Sequence, residues 1–279
     1  MKKAVFRTGS GAENGRESTM STVFITGAVT NTGFGVARKF ASEGWDVVIT
    51  SRSREKVEKA AIDLRAEYPG INVSGYQFDL VLEDNTVNES RIAEIFADLD
   101  RRNVFVDCVV LNAANLGIRQ QIFKNPLSDF INVINTNVVA DYAIIQEAAK
   151  RMVEKKRGSV VFINSNTAYR AIPDRIAYST SKSAQLGMMR ALALDLGKYN
   201  IRVNAVLPGM IKTDRWQNNY NDCRHALSCY PPLGDAADFS DIAEGVWYFA
   251  AHAPFTTGAE LAIDGGNMIQ LYPIVDKET

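Results

Sequence analysis

Seven short apolar runs separated by helix-patterned stretches constrain this chain more than any other feature. The runs are 23–26, 46–50, 73–78, 105–111, 158–163, 200–207 and 259–263. Runs this continuously apolar cannot turn one face to water. They read as strands of a parallel sheet covered by helices on both faces. Helix patterns fill the gaps at 36–43, 54–68, 91–99, 127–156, 175–198 and 241–252. In the second of these Val57, Ala60, Ala61 and Leu64 recur at helical spacing, and Pro69-Gly70 stops the pattern. The expected architecture is α/β, a doubly wound parallel β-sheet in a single domain.

The totals agree with that expectation and exclude several alternatives. The chain has 279 residues, 46% hydrophobic and 23% charged, with a net charge of −1. That is enough apolar mass for a large core, and the charge balance points to neither nucleic acid nor membrane as a partner. No apolar run approaches the roughly 20 residues needed to span a bilayer. Three cysteines, Cys108, Cys223 and Cys229, are too few and too odd for a disulfide framework and fit a reducing cytoplasm. Cys223, His225 and Cys229 are local to one another, but structural zinc usually takes four ligands, so no metal is expected. Residues 1–19 are polar and Gly-rich and read as a disordered leader to a domain spanning 20–279. Residues 210–239 break the strand–helix rhythm and carry Trp216 and Tyr220; they read as a substrate lid.

Two stretches carry binding chemistry. The first run leads into Gly27-Ala28-Val29-Thr30-Asn31-Thr32-Gly33-Phe34-Gly35 and then a helix. Strand, Gly-rich turn and helix is the setting for a pyrophosphate, which needs close backbone approach and free N–H groups at a helix start. The second run ends in Ser51-Arg52-Ser53-Arg54 with no acid from Ile49 through Arg54. An acid there would bind ribose hydroxyls, whereas a basic residue accommodates a 2′-phosphate. NADP(H) is therefore expected in preference to NAD(H), with Arg54 a solvent-facing helix residue.

The chemical centre is expected at 165–182. Ser165 follows the apolar run 160–163, and Tyr178 and Lys182 lie four apart, on one face of a helix. A cation beside a phenol favours the phenolate and lowers its pKa from about 10 toward neutrality. Asn137 sits in a long helical stretch where asparagine is intrinsically unfavourable, so it is either a tolerated kink or a placed polar group.

Together these parts resemble the short-chain dehydrogenase/reductase family over the chain from Met20 onward. The matching motifs are the Thr26-Gly27 to Gly35 turn, Asp79, Asn112-Ala113-Ala114, Asn137, Ser165, Tyr178-x-x-x-Lys182, Pro208-Gly209 with Thr213, and Asp264-Gly265-Gly266. The resemblance implies a Rossmann fold and hydride transfer between a nicotinamide and a carbonyl carbon. Tyr178 would be the general acid/base. Lys182 would lower its pKa and hold the nicotinamide ribose, and Ser165 would bind the substrate oxygen. Asn137 would support a proton-relay water near Lys182. For the cofactor, the resemblance implies Gly27, Thr32, Gly33 and Phe34 at the pyrophosphate, and Ser51 and Arg52 at the 2′-phosphate. It implies Asp79 and Leu80 at the adenine, Asn112 and Ala113 at the ribose, and Pro208, Gly209, Ile211 and Thr213 at the nicotinamide amide. A homotetramer or homodimer is also implied.

Two departures stand out. Five residues, Ala28 to Thr32, separate the first two glycines of the turn where the family has three, and Asn115 replaces a family glycine. A longer turn occurs in the enoyl-reductase branch, but that branch spaces its tyrosine and lysine more widely. The three-residue gap here favours carbonyl and secondary-alcohol substrates. A non-catalytic NADP(H) sensor or assembly module is the alternative, although it would not need the Tyr178–Lys182 pair. Arg119, Arg170 and Arg175 leave room for an anionic or polyhydroxylated substrate, with solvated surface arginines as the plainer explanation.

Overall fold

The computed structural model describes residues 21–214 and 229–272. The expected leader, and within the expected lid Trp216, Tyr220, Cys223 and His225, lie outside the described residues. The strands are β1 (Thr22–Ile25), β2 (Asp46–Ser51), β3 (Val73–Gln77), β4 (Val106–Leu111), β5 (Gly158–Ile163), β6 (Ile201–Pro208) and β7 (Glu260–Ile263). They pair in parallel in the order β3-β2-β1-β4-β5-β6-β7. The chain runs outward from β1 to β3, then returns to the other side of β1 as β4. That reversal opens a crevice at the carboxyl ends of the strands, where such sheets bind ligands.

The helices are α1 (Asn31–Ser42), α2 (Arg54–Glu67), α3 (Glu89–Arg101), α4 (Leu127–Ile134), α5 (Ala140–Lys155), α6 (Ile176–Gly197) and α7 (Phe239–Trp247). Strand side chains alternate between the two faces. Phe24, Val109, Leu111, Val160 and Phe162 pack with Ile92, Phe96, Ile144, Ile145 and Met189 of α3, α5 and α6. Their neighbours Val23, Ile25, Cys108, Val110 and Val161 pack with Val36, Phe40, Ala61 and Ile242 of α1, α2 and α7. Burial on both faces is why the strands read as unbroken apolar runs. It also makes Cys108 an inert core residue, its thiol pushed up to about 12 by desolvation.

Two boundaries differ from the sequence expectation in ways that matter. Helix α1 begins at Asn31, five residues before Val36, because Thr32 and Gly33 are buried under the β1 turn and wind with the helix. Apolar periodicity could not signal a first turn made of Asn, Thr and Gly. The helix pattern expected over 127–156 is interrupted at Asn137 by a single π-turn, Asn135–Val139, joining α4 to α5. Such insertions are frequent at functional sites. The described ends of the lid are held together: Ile211 bridges Ala237, Lys212 N–H donates to the Ala237 carbonyl at 3.0 Å, and Ala237 N–H to that of Met210 at 2.9 Å. Among the described residues, no helix is long and apolar enough to cross a membrane.

Candidate active site at the carboxyl edge of the sheet

The sheet carries nearly every residue singled out from the sequence to one edge. Gly27, Thr32, Gly33 and Phe34 follow β1, Ser51 ends β2, and the exposed Arg52 comes next. Asp79 and Leu80 follow β3, Asn112 and Ala113 follow β4, Ser165 follows β5, and Pro208, Gly209, Ile211 and Thr213 finish or follow β6. Leu80 is buried in the core while Asp79 is exposed.

The Gly turn is built tightly against the β4 loop. Gly27 has φ 64, and a Cβ there would sit 3.1 Å from the Ala113 Cα. A Cβ on Gly33 would lie 2.4 Å from Asn112 Nδ2 and 2.5 Å from the Gly27 carbonyl oxygen. Asn112 Nδ2 donates to the carbonyls of Thr26 and Gly27 at 2.9 and 3.0 Å, while its own N–H and that of Ala113 donate to Thr26 Oγ1. Asn112 therefore shapes the turn itself. The first turn of α1 has no acidic residue and no side-chain cap, so its N–H groups are available to an anion. These features fit a dinucleotide pyrophosphate. Asn31, in the added part of the turn at φ 49, accepts from Asp214 N–H at 3.3 Å and so touches the near end of the lid.

Asn137 lies in the π-turn with no exposed surface. Its Oδ1 accepts from Asn115 N–H at 2.7 Å, and its Nδ2 donates to the Asn115 carbonyl and to Ser181 Oγ, both at 2.9 Å. The side chain is wholly spent on fixing the β4 loop against α6. Asn115, in place of a glycine, continues the chain of amides. Its Nδ2 donates to Asn132 Oδ1, and Asn132 Nδ2 to Asn85 Oδ1, both at 2.6 Å.

Ser165 stands beside Tyr178, its Oγ accepting from Thr167 N–H at 3.2 Å. Burial pushes the Tyr178 phenol up, while the Ser165 hydroxyl and the Arg175 charge pull it down. Lys182 Nζ lies 5.7 Å from the Tyr178 ring centroid and donates to the Ile163 carbonyl at 3.0 Å and to Gln185 Oε1 at 3.1 Å. Burial lowers Lys182, and the buried carboxylate of Asp141 opposes that. Conversely, burial raises Asp141, and Lys182 opposes the rise.

Gln185 and Asp141 were not among the residues expected at the site. Each nevertheless lies one helical turn beyond a residue that was: Gln185 three after Lys182, Asp141 four after Asn137. A polar residue sharing a face with a site residue on an otherwise buried helix was the available signal. Of the three arginines considered for an anionic substrate, Arg119 is exposed and the other two are engaged by backbone carbonyls. Arg170 Nη1 donates to the carbonyls of Asn267 and Gln270, and Arg175 Nη1 to those of Leu116 and Gly117. A 690 Å³ cavity opens on the other face of α6, lined by Thr167, Ile172, Ser179, Thr180 and Ser183, and does not contain Tyr178 or Lys182.

A family model described as enoyl-(acyl carrier protein) reductase matches residues 27–267. Over 242 residues the chain is 30% identical to 3-oxoacyl-(acyl-carrier-protein) reductase of Bos taurus, covering 87% of this chain and 95% of that protein. Over 257 residues it is 29% identical to L-rhamnose 1-dehydrogenase (NAD(P)(+)) of Azotobacter vinelandii, covering 90% and 97%. The solved structure of ElxO with NADP bound superposes with a TM-score of 0.82 at 30% identity, covering 90% of this chain and all of that one. The chain belongs to the short-chain dehydrogenase/reductase family of oxidoreductases. Its seven-stranded parallel sheet flanked by helices is the family's Rossmann-type fold.

Proposed function

We propose that the protein is an NADP(H)-dependent oxidoreductase that interconverts a carbonyl and a secondary alcohol, with Tyr178 as general acid/base. The observation that carries this reading is the gathering of Ser165, Tyr178 and the buried Lys182, whose Nζ lies 5.7 Å from the Tyr178 ring centroid, at the sheet edge where the Gly turn opens. Bound NADP(H) supplies or accepts the hydride. Tyr178 Oη gives a proton to the carbonyl oxygen during reduction and removes it during oxidation. Ser165 Oγ holds both that oxygen and the phenol in register. Lys182 Nζ gives two hydrogen bonds to Ile163 and Gln185, and its remaining N–H would hold the nicotinamide ribose. Arg52 and Ser51 accommodate the 2′-phosphate, Asp79 and Leu80 the adenine, and Pro208, Gly209, Ile211 and Thr213 the nicotinamide amide.

The three-residue Tyr178–Lys182 gap supports carbonyl chemistry, as do the activities for which the bovine and Azotobacter relatives are named. The test is NADPH oxidation over a panel of ketones with the native protein and Tyr178→Phe. The variant should lose at least roughly 10²-fold in rate, the scale of a general acid. Equal rates would remove Tyr178 from this role. Tight NADPH binding without turnover of any substrate would favour a non-catalytic module instead. A homodimer or homotetramer, located in the cytoplasm, completes the reading. The exposed Leu127 and Leu194 on α4 and α6 support self-association, which light scattering would test.

A further inference from the structure

Gln185 is saturated by its surroundings. Its Oε1 accepts from Lys182 Nζ at 3.1 Å and from Asn164 Nδ2 at 3.0 Å, and its Nε2 donates to the Asn137 carbonyl at 2.8 Å and to Asp141 Oδ2 at 2.7 Å. Two acceptor and two donor capacities meet four partners, and only one orientation of the amide satisfies them. Rotating it by half a turn would set its NH2 against the Lys182 ammonium and its oxygen against a carbonyl and a carboxylate. Asp141 has no exposed surface, and its Oδ1 has no hydrogen-bond partner among the described residues. A carboxylate buried in this way is held by the Gln185 donor on one oxygen and by the charge of Lys182.

We propose that Gln185 and Asp141 are positioning residues of the proton-transfer centre. The Gln185 amide, braced by Asp141, makes both contacts that a relay water between Lys182 and the Asn137 carbonyl would make, and so takes that water's place. An amide does not hand protons along as a water does. Lys182 is thus fixed by a rigid bridge whose far end is the Asp141 carboxylate, and the charge of Asp141 opposes the loss of the Lys182 proton. The inference rests on Tyr178 being the acid/base of the proposed reaction.

The charged or titratable groups facing this centre are few. Asp141 comes from α5, and Lys182 and Tyr178 come from α6 with Arg175 at its start. Among the described residues, these are the groups whose charges act on Lys182, Asp141 and Tyr178. Asp141→Asn keeps an acceptor for Gln185 and removes the charge. Lys182 then loses its counter-ion, the desolvated ammonium gives way to the neutral amine, and Tyr178 loses its neighbouring cation. Gln185→Met keeps the side-chain length and removes the bridge, with the same consequence for Tyr178. It tests the proposal if Asp141→Asn does not fold.

The experiment has two readouts. The first follows phenolate absorbance against pH in each variant, minus the same variant carrying Tyr178→Phe, and needs no turnover. The second is the acid limb of NADP-dependent alcohol oxidation. The Tyr178 ionisation should move up by about one pH unit or more in both variants, the size of a lost charge partner. The acid limb should follow it. An ionisation unchanged or moved down in folded variants overturns the proposal, since a merely structural bridge would scale amplitudes without moving the midpoint. If the ionisation moves up while the native protein turns over no substrate, the positioning role stands and the oxidoreductase reading fails.

Discussion

Asn137 offers the sharpest link between a single side chain and the integrity of the site. Truncation by Asn137→Ala removes one acceptor and two donors from a position with no exposed surface. The partners do not suffer equally. Ser181 Oγ still donates to the Tyr178 carbonyl at 2.7 Å, so it loses only an incoming bond. Asn115 loses partners for both its N–H and its carbonyl, and each stranded buried group costs about 1–3 kcal/mol. Asn115 is only half-buried, which favours the lower part of that range. The total expected loss is therefore about 2–4 kcal/mol of unfolding free energy. Urea denaturation of native and variant protein, with the slope checked for constancy, measures it. A loss under about 0.5 kcal/mol, the level of ordinary surface changes, would refute the reasoning that this amide clamps the β4 loop. Asn115→Ala should cost less, because it leaves the backbone of residue 115 bonded to Asn137.

Three further outcomes follow from the same geometry. Arg52→Asp should weaken NADPH binding far more than NADH binding by fluorescence titration, and an unchanged preference would show that Arg52 does not read the 2′-phosphate. Ser165→Ala removes the hydroxyl that favours the phenolate, so the already raised Tyr178 ionisation should rise further. The acid limb of alcohol oxidation then shifts to higher pH, and a downward shift would contradict the assignment. Gly33→Ala places a methyl 2.4 Å from Asn112 Nδ2 and should cost about 1–3 kcal/mol, with weakened NADPH binding, because the α1 turn must lift from the β4 loop. Unchanged stability and affinity together would show that the turn can yield freely.

The parts of the site legible in the sequence are those written in local spacing. Tyr178 and Lys182 had to share a face once α6 was a helix, and Ser165 had to stand at a strand end once 158–163 was a strand. Asn137 in a helical stretch signalled either a kink or a placed polar group, since asparagine there needs a reason, and the structure shows it to be both. The start of α1 was hidden because its first turn is polar and gains its stability from burial against β1 and β4. The engagement of Arg170 and Arg175 by backbone carbonyls was equally hidden, because those carbonyls belong to segments distant in the chain.

By itself, then, the amino-acid order determined the parallel sheet, the Gly turn and the Tyr178–Lys182 pair. Each of these depends on periodicity or on separations within one element. Only the tertiary structure decided what surrounds the pair. Lys182 feels the charge of Asp141 because α5 and α6 cover the same face of the sheet, and Gln185 meets the Asn137 carbonyl because the π-turn passes beside α6. Burial there gives Asp141 and Lys182 their mutual hold, since two charges withdrawn from water are felt far more strongly than the same residues on an exposed helix.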